Sequence, residues 1–118
     1  MYDHVGLKVR DTGAAVRFYG AVMGALGHRP IAEDGTGYGS GDAALWLSED
    51  STAPGGAHVA FRAADHEAVR RFHAAGLAAG GKDNGAPGPR PNYGPTYYAA
   101  FLIDPDGNNV EAVCLKAA

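Results

Sequence analysis

Three side chains in this sequence have the chemistry of a divalent-metal site, namely His4, His58 and Glu111. Glu111 lies in a run that is otherwise apolar, where a carboxylate is costly unless it is paired or coordinates a cation. Two imidazoles and one carboxylate suit Zn²⁺, Fe²⁺, Mn²⁺, Ni²⁺ or Co²⁺, and they leave coordination positions open for substrate or water. The alternative is a polar cleft without metal, in which each histidine has a structural role.

The alternation of apolar and polar residues predicts that each of these three side chains lies on the face of its strand opposite the apolar residues. Residues 3–10 and 57–62 alternate with period two, which is typical of half-buried strands. In these strands His4 and His58 lie opposite apolar neighbours, and Glu111 does the same in an apolar run near the end of the chain. We therefore expect the three side chains on the face that points away from packed helices.

The two histidine-containing strands belong to an internal repeat with a constant offset of 54 residues, the offset between His4 and His58. Identical pairs at this offset include Val5 with Val59, Asp11 with Asp65, Arg17 with Arg71, Phe18 with Phe72 and Gly27 with Gly81. The two aspartates are helix N-cap signals, and they predict one helix over about 13–26 and another that ends near Ala79. The repeat indicates two copies of one structural unit.

Shorter strands complete each half. In the first half we predict strands over 28–34 and 43–48, with a short strand and a hairpin turn in the glycine-rich residues 36–42 between them. Residues 49–57 are the predicted linker, and a single domain, 1–118, then consists of halves at about 1–50 and 56–118.

The second half ends in a strand, a tight turn and another strand. Residues 82–96 contain four prolines, and they predict a long ordered loop. An apolar run over 97–103 then stops at Asp-Pro-Asp-Gly, where proline fixes φ and glycine supplies a positive φ. The last strand, 109–114, follows. Each half is therefore predicted to be a strand, a helix and up to three strands, in the α+β class.

Composition excludes several classes of partner. The net charge is −3 without a cluster of Lys or Arg, which argues against nucleic acid and anionic membranes. There is no signal peptide and no apolar run of membrane-spanning length, so we expect a cytoplasmic protein. The single cysteine, Cys114, excludes an internal disulfide and a thiolate zinc cluster.

Aromatic and polar side chains near the predicted loop are candidates for ligand binding. The loop could act as a lid, with Tyr93 as a general acid or base and Arg90 binding an anionic substrate beside Asn92. Tyr97 and Tyr98 are both candidates for contact with the ligand, although they alternate in a strand, so that one of them is expected to pack in the core. Structural packing is the alternative for each tyrosine.

The duplicated unit resembles the vicinal oxygen chelate superfamily, which includes glyoxalase I, bleomycin-resistance proteins, fosfomycin-resistance proteins and extradiol dioxygenases. The resemblance rests on His in the first strand of each half and on Asp-Pro-Asp-Gly-Asn followed by Glu111. It implies two tandem βαβββ units that form a curved mixed sheet around a cleft, with helices outside. It also implies a divalent metal in the cleft, a small-molecule ligand and a homodimer.

The first half departs from the four-ligand members that resemble glyoxalase I. Those members have a second carboxylate in the last strand of the first half, and here that position falls at Leu45 or Trp46. Neither side chain can ligate a metal, so the His4, His58 and Glu111 set resembles that of the extradiol dioxygenases instead. Trp46 is in addition a candidate for lining an apolar cleft.

Two functions are consistent with the sequence. The first is a metal-dependent lyase, isomerase or ring-cleaving dioxygenase in which the metal acts as a Lewis acid on a small oxygen-bearing substrate. The second is a protein of the bleomycin-resistance type that sequesters a small molecule without catalysis. The His-His-Glu set favours the first function, while Trp46 and the missing carboxylate favour the second.

Overall fold

The computed structural model describes residues 1–118 and contains two helices and eight strands. The first half comprises β1 (His4–Val9), α1 (Thr12–Ala25), β2 (Arg29–Pro30), β3 (Gly37–Gly39) and β4 (Ala44–Glu49). The second half comprises β5 (His58–Arg62), α2 (His66–Ala78), β6 (Lys82–Pro89), β7 (Tyr98–Ile103) and β8 (Asn109–Cys114). Neither helix has the length and apolar character needed to cross a membrane. The prediction of two βαβββ units in the α+β class is confirmed.

Each half forms its own four-stranded mixed sheet. The strand order is β1-β4-β3-β2 in the first sheet and β5-β8-β7-β6 in the second. In both sheets the first strand pairs in parallel with the last strand of its unit, while the other pairings are antiparallel. The first strand of each unit is therefore a sheet edge whose outer side has no strand partner within the chain.

The two helices pack against each other in one core that includes the inner face of both sheets. They meet at Gly76 of α2, where a Cβ atom would collide with Leu102 of β7 and lie 3.0 Å from Cγ1 of Val22. Both helices begin at the predicted caps, since Asp11 accepts from the Ala14 amide and Asp65 accepts from the Ala68 amide. This arrangement leaves the second face of each sheet pointing away from the helices.

The predicted loop over 82–96 was wrong in its first half, because residues Lys82–Pro89 form β6. β6 is an edge strand, where proline is tolerated because no further strand needs its missing amide hydrogen. Its pairing with β7 has register shifts between Asp83 and Gly85 and between Gly85 and Gly88. In the first repeat unit, the sequence predicts a strand over 28–34, but the structure has only the shorter strand β2 (Arg29–Pro30) there.

The turn between β7 and β8 is held by a buried hydrogen-bond network that reaches into the first half. Asp104 is 4% exposed and accepts from the Tyr19 hydroxyl of α1, the Asn108 side chain and the backbone amides of residues 106 and 108. Asp106 accepts from the Arg10 amide at 2.8 Å. Burial and the Asp104 carboxylate raise the pKa of Tyr19, so its hydroxyl stays protonated as a donor. The network ties the turn that precedes Glu111 to β1 and α1.

Tyr19→Phe is expected to lower the free energy of unfolding by about 1–3 kcal/mol, because the buried Asp104 carboxylate loses a donor that water cannot replace. Urea denaturation measures the change. Tyr2→Phe is the matched control, since Tyr2 is 73% exposed and its hydroxyl contributes less than about 0.5 kcal/mol at the surface. Equal stability of the Tyr19→Phe variant and the wild type would contradict the role given to the network.

Candidate metal and ligand site

Glu111 of β8 is 2% exposed, and both of its carboxylate oxygens have a side-chain partner. Oε1 lies 2.6 Å from Nε2 of His58, and Oε2 accepts a hydrogen bond of 2.7 Å from the Tyr97 hydroxyl. The His58 side chain is 54% exposed, so the group has a buried carboxylate and an imidazole open to solvent. A carboxylate buried in this way is stabilised by its partners.

The strand register explains why these side chains meet. Glu111 pairs with Ala60 in the parallel β5–β8 ladder, which puts His58, two residues earlier, on the same face. Across the β7–β8 hairpin Glu111 pairs with Phe101, whose ring centroid lies 6.4 Å from that of His58. The sequence interpretation missed Phe101. Counting back from the tight turn, which pairs residues 103 and 109, would have found it.

Tyr97 precedes β7 and is the tyrosine that contacts the carboxylate. Burial and the hydrogen bond to Glu111 raise the pKa of Tyr97 to about 12. Its hydroxyl is therefore protonated at neutral pH and donates to Oε2, which leaves Oε1 as the oxygen that faces His58.

His4 lies on the equivalent face of the other sheet. Its side chain is 59% exposed, and Nδ1 lies 2.8 Å from the Asp3 carboxylate, which leaves Nε2 without a protein partner. Within one chain His4 does not join His58 and Glu111, and no group of three or more His, Cys, Asp or Glu side chains is placed to hold a metal. The donor chemistry of His58 and Glu111 fits a divalent cation, but a single chain supplies only these two donors together.

The strand register also identifies the residue of the first half that is equivalent to Glu111. Gly6 of β1 pairs with Trp46 of β4, just as Ala60 of β5 pairs with Glu111. Gly6 and Ala60 are separated by the repeat offset, so Trp46 is the counterpart of Glu111. Leu45 is 4% exposed and faces the core.

The candidate ligand-binding residues of the predicted loop lie in different environments. Tyr93 is 62% exposed, and its ring lies edge-on to that of Tyr97 at 5.3 Å. Asn92 is exposed beside it in the same turn. Arg90 donates to the carbonyl oxygens of residues 86 and 88, and its guanidinium lies 5.4 Å from the centroid of the Phe101 ring. The roles in acid–base chemistry and substrate binding that were assigned to these three residues stay predictions.

Tyr98 faces the helix side, as the alternation with Tyr97 requires. Its ring stacks on His66 with centroids 3.9 Å apart, and its hydroxyl accepts from Arg70 at 3.2 Å. These contacts lie on the opposite face of the sheet from Glu111. The ligand contact predicted for Tyr98 therefore needs a site other than the one around Glu111.

An apolar groove of about 520 Å³ opens between the edge strands β1 and β5. Its lining includes Val5 and Leu45 from the first sheet and Val59 and Phe61 from the second. Tyr2, which is 73% exposed, also lines the groove. β1 and β5 belong to different sheets, so the edges that carry His4 and His58 are not paired with each other within one chain.

Comparisons with known proteins agree with this architecture. The family model for the Glyoxalase/Bleomycin resistance protein/Dioxygenase superfamily matches residues 2–112. A glyoxalase/bleomycin resistance protein from Albidiferax ferrireducens has a similar solved structure, with a TM-score of 0.84 and 32% sequence identity. That match covers 97% of this chain and 98% of the other. The comparison with curated proteins gave no match.

Two further solved structures have the same fold. A glyoxalase/bleomycin resistance protein/dioxygenase family enzyme from Burkholderia phytofirmans is 21% identical with a TM-score of 0.72, over 97% of this chain and 98% of the other. A mutant of glyoxalase I from Zea mays is 26% identical with a TM-score of 0.68, over 95% of this chain and 45% of the other.

Proposed function

Because the chain belongs to the Glyoxalase/Bleomycin resistance protein/Dioxygenase superfamily, we propose that it is a divalent-metal-dependent enzyme acting on a small oxygen-bearing substrate. The reaction is that of a lyase or isomerase, or of a ring-cleaving dioxygenase. The observation that carries the proposal is the 2.6 Å contact between the buried Glu111 carboxylate and the imidazole of His58, whose side chain is 54% exposed. Zn, Fe, Ni, Mn and Co all suit this donor chemistry.

The third donor in this proposal is His4 of the partner subunit in a homodimer. Three observations support the pairing: β1 and β5 are both open sheet edges, an apolar groove lies between them, and no three-donor group exists within one chain. A two-fold axis that sets β1 of one copy beside β5 of the other would repeat the contact twice, because a C2 interface is self-complementary. Such a dimer has two equivalent sites.

The residues of this chain have separate tasks in the proposed site. Tyr97 keeps its proton at neutral pH and fixes Glu111 by donating to Oε2, so that Oε1, the oxygen beside His58, would be the one available to a metal. Burial of Glu111 excludes bulk water from the carboxylate, while the exposed imidazoles leave room for substrate. A bound divalent cation would supply Lewis acidity toward two oxygens of the substrate. Tyr93, Arg90 and Asn92 then border the entrance.

A second candidate function is the non-catalytic sequestration of a small molecule in the proposed site between the two subunits. It is favoured by one observation, the presence of Trp46 where a carboxylate could complete a four-ligand set. A sequestering protein needs the aromatic surface but has no need of a buried Glu111 beside His58. Metal binding and turnover therefore discriminate between the two functions.

The experiment is to measure the metal content of the protein as purified and after reconstitution with Fe²⁺, Zn²⁺, Ni²⁺ and Mn²⁺. We expect about one equivalent per chain with a suitable metal, since each chain provides one complete set of ligands. His58→Ala is expected to lose the metal, whereas the control His66→Ala, on the helix side of the same half, retains it. Assays with hemithioacetals and catechols then separate lyase from dioxygenase activity. If the wild-type protein binds less than about a tenth of an equivalent of every metal tested, the proposal of a metal-dependent enzyme is refuted.

A further inference from the structure

Arg90 follows β6, and its side chain folds back over that strand. The pairing of β6 with β7 shifts register between Gly85 and Gly88, and a bulge of this kind interrupts the ladder of hydrogen bonds. The guanidinium donates to carbonyl oxygens of the bulged segment, from Nη2 to residue 86 at 2.7 Å and from Nη1 to residue 88 at 2.9 Å. Two such bonds give the planar guanidinium a fixed orientation.

The same guanidinium lies over the ring of Phe101. Its carbon atom Cζ is 5.4 Å from the ring centroid, which is within the range of a cation–π contact. Gly85 pairs with Phe101 across the β6–β7 ladder and leaves the space for this contact. A Cβ atom at Gly85 would lie 3.0 Å from Cδ1 of Phe101 and 3.2 Å from Nη2 of Arg90. The ring is thus held on its β6 side by a glycine backbone and an oriented cation.

On the other side of Phe101 lies the imidazole of His58. In the strand order β5-β8-β7-β6, Phe101 lies between His58 and the strand that precedes Arg90. The ring centroids of Phe101 and His58 are 6.4 Å apart, which is a contact distance for an aromatic pair. The His58 side chain is 54% exposed, and an exposed side chain without such a neighbour changes rotamer rapidly. Phe101 therefore limits the positions of the imidazole whose Nε2 lies 2.6 Å from Glu111.

We propose that Arg90 is a positioning residue for His58 and that it acts through Phe101. The bound guanidinium holds the aromatic ring, and the ring keeps the imidazole directed at the Glu111 carboxylate. The proposal rests on the proposed function, because groups that fix the direction of a ligating histidine raise its affinity for metal. It gives the guanidinium a task other than the binding of an anionic substrate that the sequence predicted.

β6 is also held at a point that does not involve Arg90. Oδ1 of Asp83 accepts from the Gly85 amide at 3.0 Å and lies 2.9 Å from Nε2 of His73 on α2. A substitution of Arg90 is therefore expected to leave the strand in place and to change the support of the Phe101 ring.

Two measurements test the proposal, and the first needs no metal. In the metal-free protein, nuclear Overhauser contacts between the imidazole protons of His58 and the ring protons of Phe101 report the relative position of the two rings. Competition titration with a chelator gives the affinity for Zn²⁺. Both are compared in the wild type, Arg90→Gln, Phe101→Leu and the double variant. Arg71→Gln is the matched control, because Arg71 is exposed on α2.

We expect Arg90→Gln to lose most of the Overhauser contact and to lower the affinity for Zn²⁺ by about tenfold, the lower end of the range for removing a group that orients a metal ligand. Phe101→Leu is expected to lower the affinity by a similar factor. In the Phe101→Leu background Arg90→Gln should have no further effect, because residues that act as one unit are not additive. Arg90→Lys recovers only part of both losses, since an ammonium lacks the planar fork that binds two carbonyl oxygens. Arg71→Gln leaves both quantities unchanged.

The outcomes separate the positioning of His58 from the fold and from the proposed enzyme. Loss of the Overhauser contact in a protein that binds no metal would support the positioning and refute the enzyme. An unchanged contact in Arg90→Gln, or an unchanged affinity in a protein that binds Zn²⁺, would overturn the proposal. Equal losses of affinity from Arg90→Gln with and without the Phe101 ring would also overturn it, because Arg90 would then act independently of the ring. An Arg90→Gln variant that does not fold would assign Arg90 to the stability of β6 instead.

Discussion

Glu111→Gln is expected to lower the affinity for a divalent cation by at least about a hundredfold, the upper range found for removing an outer-sphere partner of a metal ligand. Glutamine has nearly the same shape as glutamate, but it has no negative charge and presents an amide to His58 and Tyr97. The charge is the part of Glu111 that a cation needs most. Competition titration with a chelator measures the affinity.

Glu111→Gln also changes a buried side chain that has two hydrogen-bond partners, so the substitution affects packing as well as charge. A structural role and a ligand role differ in their response to metal. A ligand that binds only the folded state raises the free energy of unfolding, so added metal should stabilise the wild type and not the variant. Glu33→Gln is the control, since Glu33 is exposed and outside the site. Metal stabilisation that is equal in the wild type and in Glu111→Gln would contradict the ligand role.

The fold was largely predictable because its determinants are local and repeated. Alternation in the first strand of each half, together with Asp11 and Asp65 as helix caps, predicted both units, and both caps are observed. β6 was missed because its prolines and glycines are typical of a loop. Their tolerance depends on the position of β6 at a sheet edge, and a sequence pattern does not reveal which strand lies at an edge.

The site was predictable in part, for a different reason. Alternation determines which face a side chain occupies, so it predicted that Glu111 and His58 point the same way. It does not determine how the two units pack. That depends on contacts between distant segments, such as the close approach of the helices at Gly76 and the hydrogen bond between Tyr19 and Asp104. These contacts determine how the two halves pack, and in that packing His4 does not join His58 and Glu111 within one chain.

Mixing two inactive variants tests the shared site, and it is expected to restore metal binding from proteins that have none. His4→Ala and His58→Ala each destroy both sites of their own homodimer. In a mixed dimer, one site combines both substitutions, and the other combines the intact His4 of one copy with the intact His58 and Glu111 of its partner. Random pairing should therefore recover about a quarter of the wild-type metal content. Co-expression with two affinity tags isolates the mixed dimers for direct measurement.

The control for this experiment is the mixture of His58→Ala with Glu111→Gln. Both substitutions lie on the same side of the proposed site, so each of the two sites in a mixed dimer retains one damaged copy of the β5–β8 face. No metal should return, although the dimers form in the same way. If the sites lay within single chains, neither mixture would recover metal, because every chain would carry a damaged site. Recovery in the first mixture and not in the second is thus the pattern that only a site shared between His4 of one subunit and the His58 and Glu111 pair of the other produces.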